Sequence, residues 1–152
     1  MIDHLTLTVR DVERSIAFYN RALMPLGYGV TMRFENFAGL GTKQKPFFWL
    51  KSGPVPTQPM HLAFVAPSRA AVDAFHAEAL AAGAHDDGPP GLRPHYHPDY
   101  YGAFVVDLDG HPIEAVCHAP LSAKSAKPAK SAKAPAKRKA KPKAKRAPKK
   151  RR

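Results

Sequence analysis

Between positions 4 and 9 apolar and polar residues alternate strictly. Leu5, Leu7 and Val9 fall on one face of a strand and His4, Thr6 and Thr8 on the other. The period then changes. Val12, Ile16, Tyr19 and Leu23 line one side of a helix, with Asp11 as its N-cap and Pro25 and Gly27 ending it. The same succession returns near residue 61. Leu62 and Phe64 oppose His61 and Ala63, and a helix follows with Ser68 as cap, Val72, Phe75 and Ala79 as its stripe and Gly83 as its stop. Three shorter strands are expected after each helix: near 29–33, 36–40 and 46–51 in the first half, and near 84–87, 102–107 and 112–118 in the second. Asp109-Gly110 is a two-residue hairpin signal between the last two.

The halves also share residues in register. An offset of 57 carries His4-Leu5 onto His61-Leu62, Ala17-Phe18 onto Ala74-Phe75 and Ala22-Leu23 onto Ala79-Leu80. Each pair lies in the corresponding element, which argues for a duplicated β-α-β-β-β unit. The expected fold is α+β: two tandem βαβββ modules, 1–53 and 60–119, form a cupped mixed sheet. In each module a helix covers one face and the other stays concave. A tail, 120–152, follows.

Charge separates the tail from the body. The chain carries +12 overall, yet residues 121–152 hold eleven Lys, four Arg and no acid. The remainder holds nine basic and twelve acidic residues, a balance of −3. The tail is otherwise Ala, Pro, Ser and one Leu, so it has nothing to bury against the entropy of ordering. It reads as a disordered polycation able to make non-specific, salt-sensitive contact with DNA or RNA. The single Cys117 excludes an intrachain disulfide, and there is neither a secretory signal nor a membrane-length apolar run. The expected location is cytoplasmic.

Candidate chemistry follows from strand parity. His4 is out of phase with Leu5 and Leu7, and His61 with Leu62 and Phe64. Glu114 is out of phase with Ile113 and Ala115. All three therefore project from open faces, a 2-His-1-carboxylate set suited to Fe(II), Mn(II), Zn(II) or Ni(II) with coordination positions left for substrate. The segment 2–9 with Asp11 and Ala17-Phe18-Tyr19, and the closing segment Asp107-Leu108-Asp109-Gly110-His111-Pro112-Ile113-Glu114, resemble the glyoxalase/bleomycin-resistance/extradiol-dioxygenase proteins, the vicinal oxygen chelate superfamily. The resemblance covers about residues 1–119. It implies His4, His61 and Glu114 as metal ligands on the first, fifth and eighth strands. It further implies an enzyme of lyase or dioxygenase type whose small oxygenated substrate chelates the metal, working as a homodimer. The glyoxalase I branch adds a glutamate on the fourth strand; here Trp49 stands near that position. Two other readings are a metal-free protein that sequesters small molecules and a nucleic-acid-associated protein acting through its tail.

The loop 93–101 gathers His95, Tyr96, His97, Tyr100 and Tyr101 before the seventh strand, where it can form a lid. His97 and Tyr101 are the expected acid–base residues beside Glu114. Phe47, Phe48 and Trp49 are read as pocket or core, and His76 and His85 as structural or solvent-facing. His111 is read as an exposed turn residue, His118 as a remote ligand candidate and Cys117 as a small buried hydrophobe.

Overall fold

The computed structural model describes residues 2–120, and the tail expected over 121–152 lies outside the described residues. β1 (Leu5–Val9), α1 (Val12–Leu23), β2 (Gly29–Arg33), β3 (Phe37–Gly41) and β4 (Pro46–Ser52) form the first module. β5 (Leu62–Val65), α2 (Arg69–Ala81), β6 (His85–Leu92), β7 (Tyr101–Val106) and β8 (Pro112–Cys117) form the second. Each module is a four-stranded mixed sheet, ordered β1-β4-β3-β2 and β5-β8-β7-β6. In both, the first and last strands pair parallel and the rest antiparallel. The fold is the expected α+β duplication.

The caps are those the sequence announces. Asp11 accepts from the Arg14 N–H and Ser68 from the Ala71 N–H, each satisfying an orphan donor of a first helical turn. Pro25 stands inside a short 3₁₀ turn, Met24–Leu26, which extends α1 before Gly27 ends it at φ 85°. The sixth strand runs to Leu92, five residues past its expected end, although it contains Pro89 and Pro90. It is an edge strand, so prolines lacking N–H donors do not interrupt the sheet.

The helix-covered faces of both sheets share one core. Leu7, Val9, Leu40, Phe48 and Leu50 of the first module belong to the same buried cluster as Leu62, Phe64, Val105, Ile113 and Ala115 of the second. Phe48 and Phe64 meet edge to face at 5.3 Å. Arg21 of α1 pairs with Glu78 of α2 at 2.6 Å. These two positions are themselves related by the 57-residue offset, so the helices meet as a near-symmetric pair. Tyr19 donates to Asp107 Oδ2 at 2.5 Å, tying α1 to the β7–β8 hairpin.

His111 departs from its expected exposure and is 1% accessible. Its backbone N–H donates to Asp107 Oδ1, and its Nδ1 accepts from the Met60 N–H at 3.0 Å. The hairpin turns inward because Asp107 gathers the turn's N–H groups. This carries the imidazole under the segment that leads into β5.

Candidate functional site

The uncovered face of the second sheet holds the densest chemistry. Register pairs Ala63 of β5 with Glu114 of β8 and Glu114 with Phe104 of β7, so the three lie in one row across that face. Ile113 and Ala115, on either side of Glu114, are buried in the core beneath. His61 immediately precedes β5 and shares parity with Ala63. Its Nε2 stands 3.1 Å from Glu114 Oε2. Its ring is edge-on to Phe104 with centroids 6.5 Å apart.

Glu114 is 4% accessible, an unusual place for a carboxylate, and both of its oxygens are engaged. Oε2 faces His61, while Oε1 accepts from the Tyr100 phenol. Tyr100 is flanked by Tyr96 and His118, each edge-on with ring centroids 5.1 Å away. Burial, then the Glu114 carboxylate, raises the Tyr100 pKa to about 12, so the phenol remains a donor at neutral pH.

His4 is elsewhere. Its side chain is 58% exposed, and its Nδ1 lies 2.8 Å from Asp3, which also pairs with Lys45. Among the described residues, no three His, Cys, Asp or Glu side chains stand close enough to hold one ion. Of the expected ligands, a single chain therefore brings together His61 and Glu114 but not His4. The helix-side faces of the sheets are joined in one core, so module packing does not carry β1's open-face histidine to β8.

Tyr101 also departs from expectation. It is one residue out of phase with Tyr100, and its phenol donates to Asp73 of α2 at 2.7 Å with the Arg69 guanidinium 5.2 Å above the ring. Parity sends Tyr101 to the helix side and puts Tyr100 beside Glu114. The signal that finds Tyr100 is its in-phase spacing with Gly102 and Phe104 on β7. His97 lies at the rim with its ring 6.0 Å from His118, and its Nδ1 accepts from the Asp99 N–H, so its neutral form carries the proton on Nε2. His118 is exposed at the end of the same strand as Glu114. His76 contacts Asp86 at 2.9 Å, and Cys117 is buried; both are structural.

On the uncovered face of the first sheet, the Trp49 ring lies against Gly39, where a Cβ would stand 3.0 Å from two of its ring atoms. Phe37 is tilted against Trp49 at 5.9 Å and stacks on Phe34 at 4.4 Å, and both phenylalanines are exposed. Phe48 is core, while half-buried Phe47 packs edge to face on Tyr28. A separate open groove of about 330 Å³ between α1 and β2 is crossed by the Glu13–Arg33 ion pair and shares no residue with the Glu114 site.

A sequence profile of the Glyoxalase/Bleomycin resistance protein/Dioxygenase superfamily matches residues 1–115. The chain belongs to that superfamily. Among solved structures, it is 31% identical to a glyoxalase/bleomycin resistance protein from Albidiferax ferrireducens T118, with a TM-score of 0.62 over 76% of this chain and 96% of that one. A possible glyoxalase from Bacillus cereus is 26% identical, TM-score 0.58, covering 77% and 98%. A family enzyme from Burkholderia phytofirmans PsJN, 21% identical with a TM-score of 0.62 over 78% and 98%, shares the fold. No curated protein matches the chain. Among the described residues no helix is long and apolar enough to cross a membrane.

Proposed function

We propose that the chain is a metal-dependent enzyme of this superfamily, acting on a small molecule that presents two oxygens to a divalent ion. The observation that carries the reading is the His61–Glu114 contact. Two ligand atoms on one ion at about 2.1 Å stand about 3.0–3.4 Å apart, so the 3.1 Å separation is compatible with a shared ion. The third ligand in the proposal is His4 of a second copy. His4 and His61 occupy equivalent repeat positions, both are more than half exposed, and β1 and β5 each have an unpaired outer edge. Such edges are ordinarily covered, and a two-fold that sets the first sheet of one copy against the second sheet of another covers both.

When bound, the ion supplies Lewis acidity toward a substrate oxygen. The chain's own residues do the rest. His61 and Glu114 hold the site, Tyr100 keeps Glu114 in place, and Phe104 walls the ring of His61. His97 and His118 stand at the rim, where an imidazole can exchange a proton with bound substrate. The apolar surface of Phe37 and Trp49 suits the flat or hydrocarbon part of a ligand.

A metal-free sequestering protein is the second reading, favoured by the fact that both Glu114 oxygens are satisfied within the chain without an ion. Metal analysis of protein purified without chelator separates the two. The enzyme reading expects near-stoichiometric Zn(II), Ni(II), Mn(II) or Fe(II) per chain, lost in Glu114→Gln and His61→Ala. Less than about a tenth of an equivalent, with no gain on adding those ions, selects sequestration.

A further inference from the structure

We propose that Tyr100 is the positioning residue of this site: its phenol, seated on Glu114 Oε1, turns the carboxylate so that only Oε2 is presented beside His61. Three observations converge. First, the phenol itself is held. The Arg93 N–H donates to the Tyr100 carbonyl at 2.8 Å and the Tyr100 N–H to the His97 carbonyl at 3.0 Å, which closes the loop. Tyr96 and His118 each pack edge-on against the ring. Second, Gly102 is the next open-face position on β7. A Cβ there would stand 3.1 Å from both Glu114 Oε1 and Tyr100 Cε1, so the missing side chain is what lets phenol and carboxylate meet. Third, among the described residues Glu114 has two side-chain partners, one on each oxygen, and the Tyr100 phenol donates to Oε1 whatever the tautomer of His61.

For the class of ion, and not for the carboxylate's orientation, the consequence rests on the metal reading above. A carboxylate with one oxygen occupied by a phenol binds through the other alone. Transition ions with nitrogen and oxygen ligands accept that arrangement, whereas Ca²⁺ is often held by both oxygens of a carboxylate. Tyr100 thus tilts the site toward the former and against the latter. Partners that orient a ligand from behind commonly change metal affinity about 10–100-fold when removed.

The test uses the full chain as wild type, Tyr100→Phe and Gly102→Ala. In metal-free crystals the wild-type Glu114 carboxylate should keep Oε1 on Tyr100, and in Tyr100→Phe it should rotate or split between orientations. Calorimetric titration with Zn²⁺ alone and with Ca²⁺ alone should show Tyr100→Phe losing about tenfold in Zn²⁺ affinity and narrowing the Zn²⁺/Ca²⁺ ratio. Gly102→Ala, which keeps the phenol but crowds it, should move both in the same direction. An unmoved carboxylate with an unchanged ratio overturns the proposal. If the wild type binds neither ion, the metal reading is lost, and the carboxylate's orientation in Tyr100→Phe alone decides the role of Tyr100.

Discussion

From the helix-covered face of β7, Tyr101 donates to Asp73, and burial together with that contact raises its pKa to about 12. The fold thus favours the neutral phenol. Its contribution to stability is complete below the unfolded value near 10 and is lost as pH rises toward 12. Tyr101→Phe should cost about 1 kcal/mol near neutrality. Denaturant titrations of both proteins at about pH 9 and about pH 11.5 should show that gap shrinking at the higher pH. Tyr100 carries the same chemistry one position earlier and faces the other way. Alternation predicts that these two neighbours part company and that Tyr100 takes the face of Glu114, but not that its phenol reaches that carboxylate. That depends on where the loop returns to the sheet.

Caps were the most legible elements, because their signals are local. Asp11 and Ser68 act within a few residues of where they stand in the chain. Asp109-Gly110 marks the place of the last hairpin but not its form: residues 107–111 join the strands, the Gly110 N–H donates to the Asp107 carbonyl, and Gly110 alone takes a positive φ, so the expected two-residue turn gives way to a longer one. Gly110 has φ 96°, a conformation that costs any residue with a Cβ about 1–2 kcal/mol. Gly110→Ala should therefore lower stability by about that amount in chemical denaturation. It should also disturb Glu114, since the turn launches β8. β6 was legible only in its first residues. Gly88, Pro89, Pro90 and Gly91 read locally as a break, and only the strand's place at the sheet edge permits them. His111 departs from its expected exposure for a related reason: a turn residue is ordinarily exposed, but Asp107 curls this turn inward.

Across the whole molecule, the two modules are locked by contacts that no local pattern announces. Asp107 receives two N–H groups on Oδ1 and the Tyr19 phenol on Oδ2 while buried. Tyr19→Phe would leave that Oδ2 unpaired, at a cost of about 1–3 kcal/mol by denaturant midpoint. The lost contact joins the modules, so the variant should also exchange amide protons faster on both sides of their boundary. We also propose that residues 121–152 bind nucleic acid through charge alone. The full chain should then bind duplex DNA at low salt with no sequence preference, and its affinity should fall steeply with added salt. Deleting 121–152 should abolish the binding, as read by fluorescence anisotropy.

By itself the chain's pattern determined the duplicated βαβββ order, the helix stripes and the open-face parity of His4, His61 and Glu114. Each of these follows from the 2.0- and 3.6-residue periods, which are properties of neighbouring residues. Only the tertiary structure decided which open-face groups meet. His61 and Glu114 are joined by the parallel pairing of β5 with β8, and Tyr100 by the closing of a loop. His4 is held apart because the two sheets pack through their helix sides. Contacts between side chains distant in sequence are set by the packing of whole elements, which alternation along a strand does not encode.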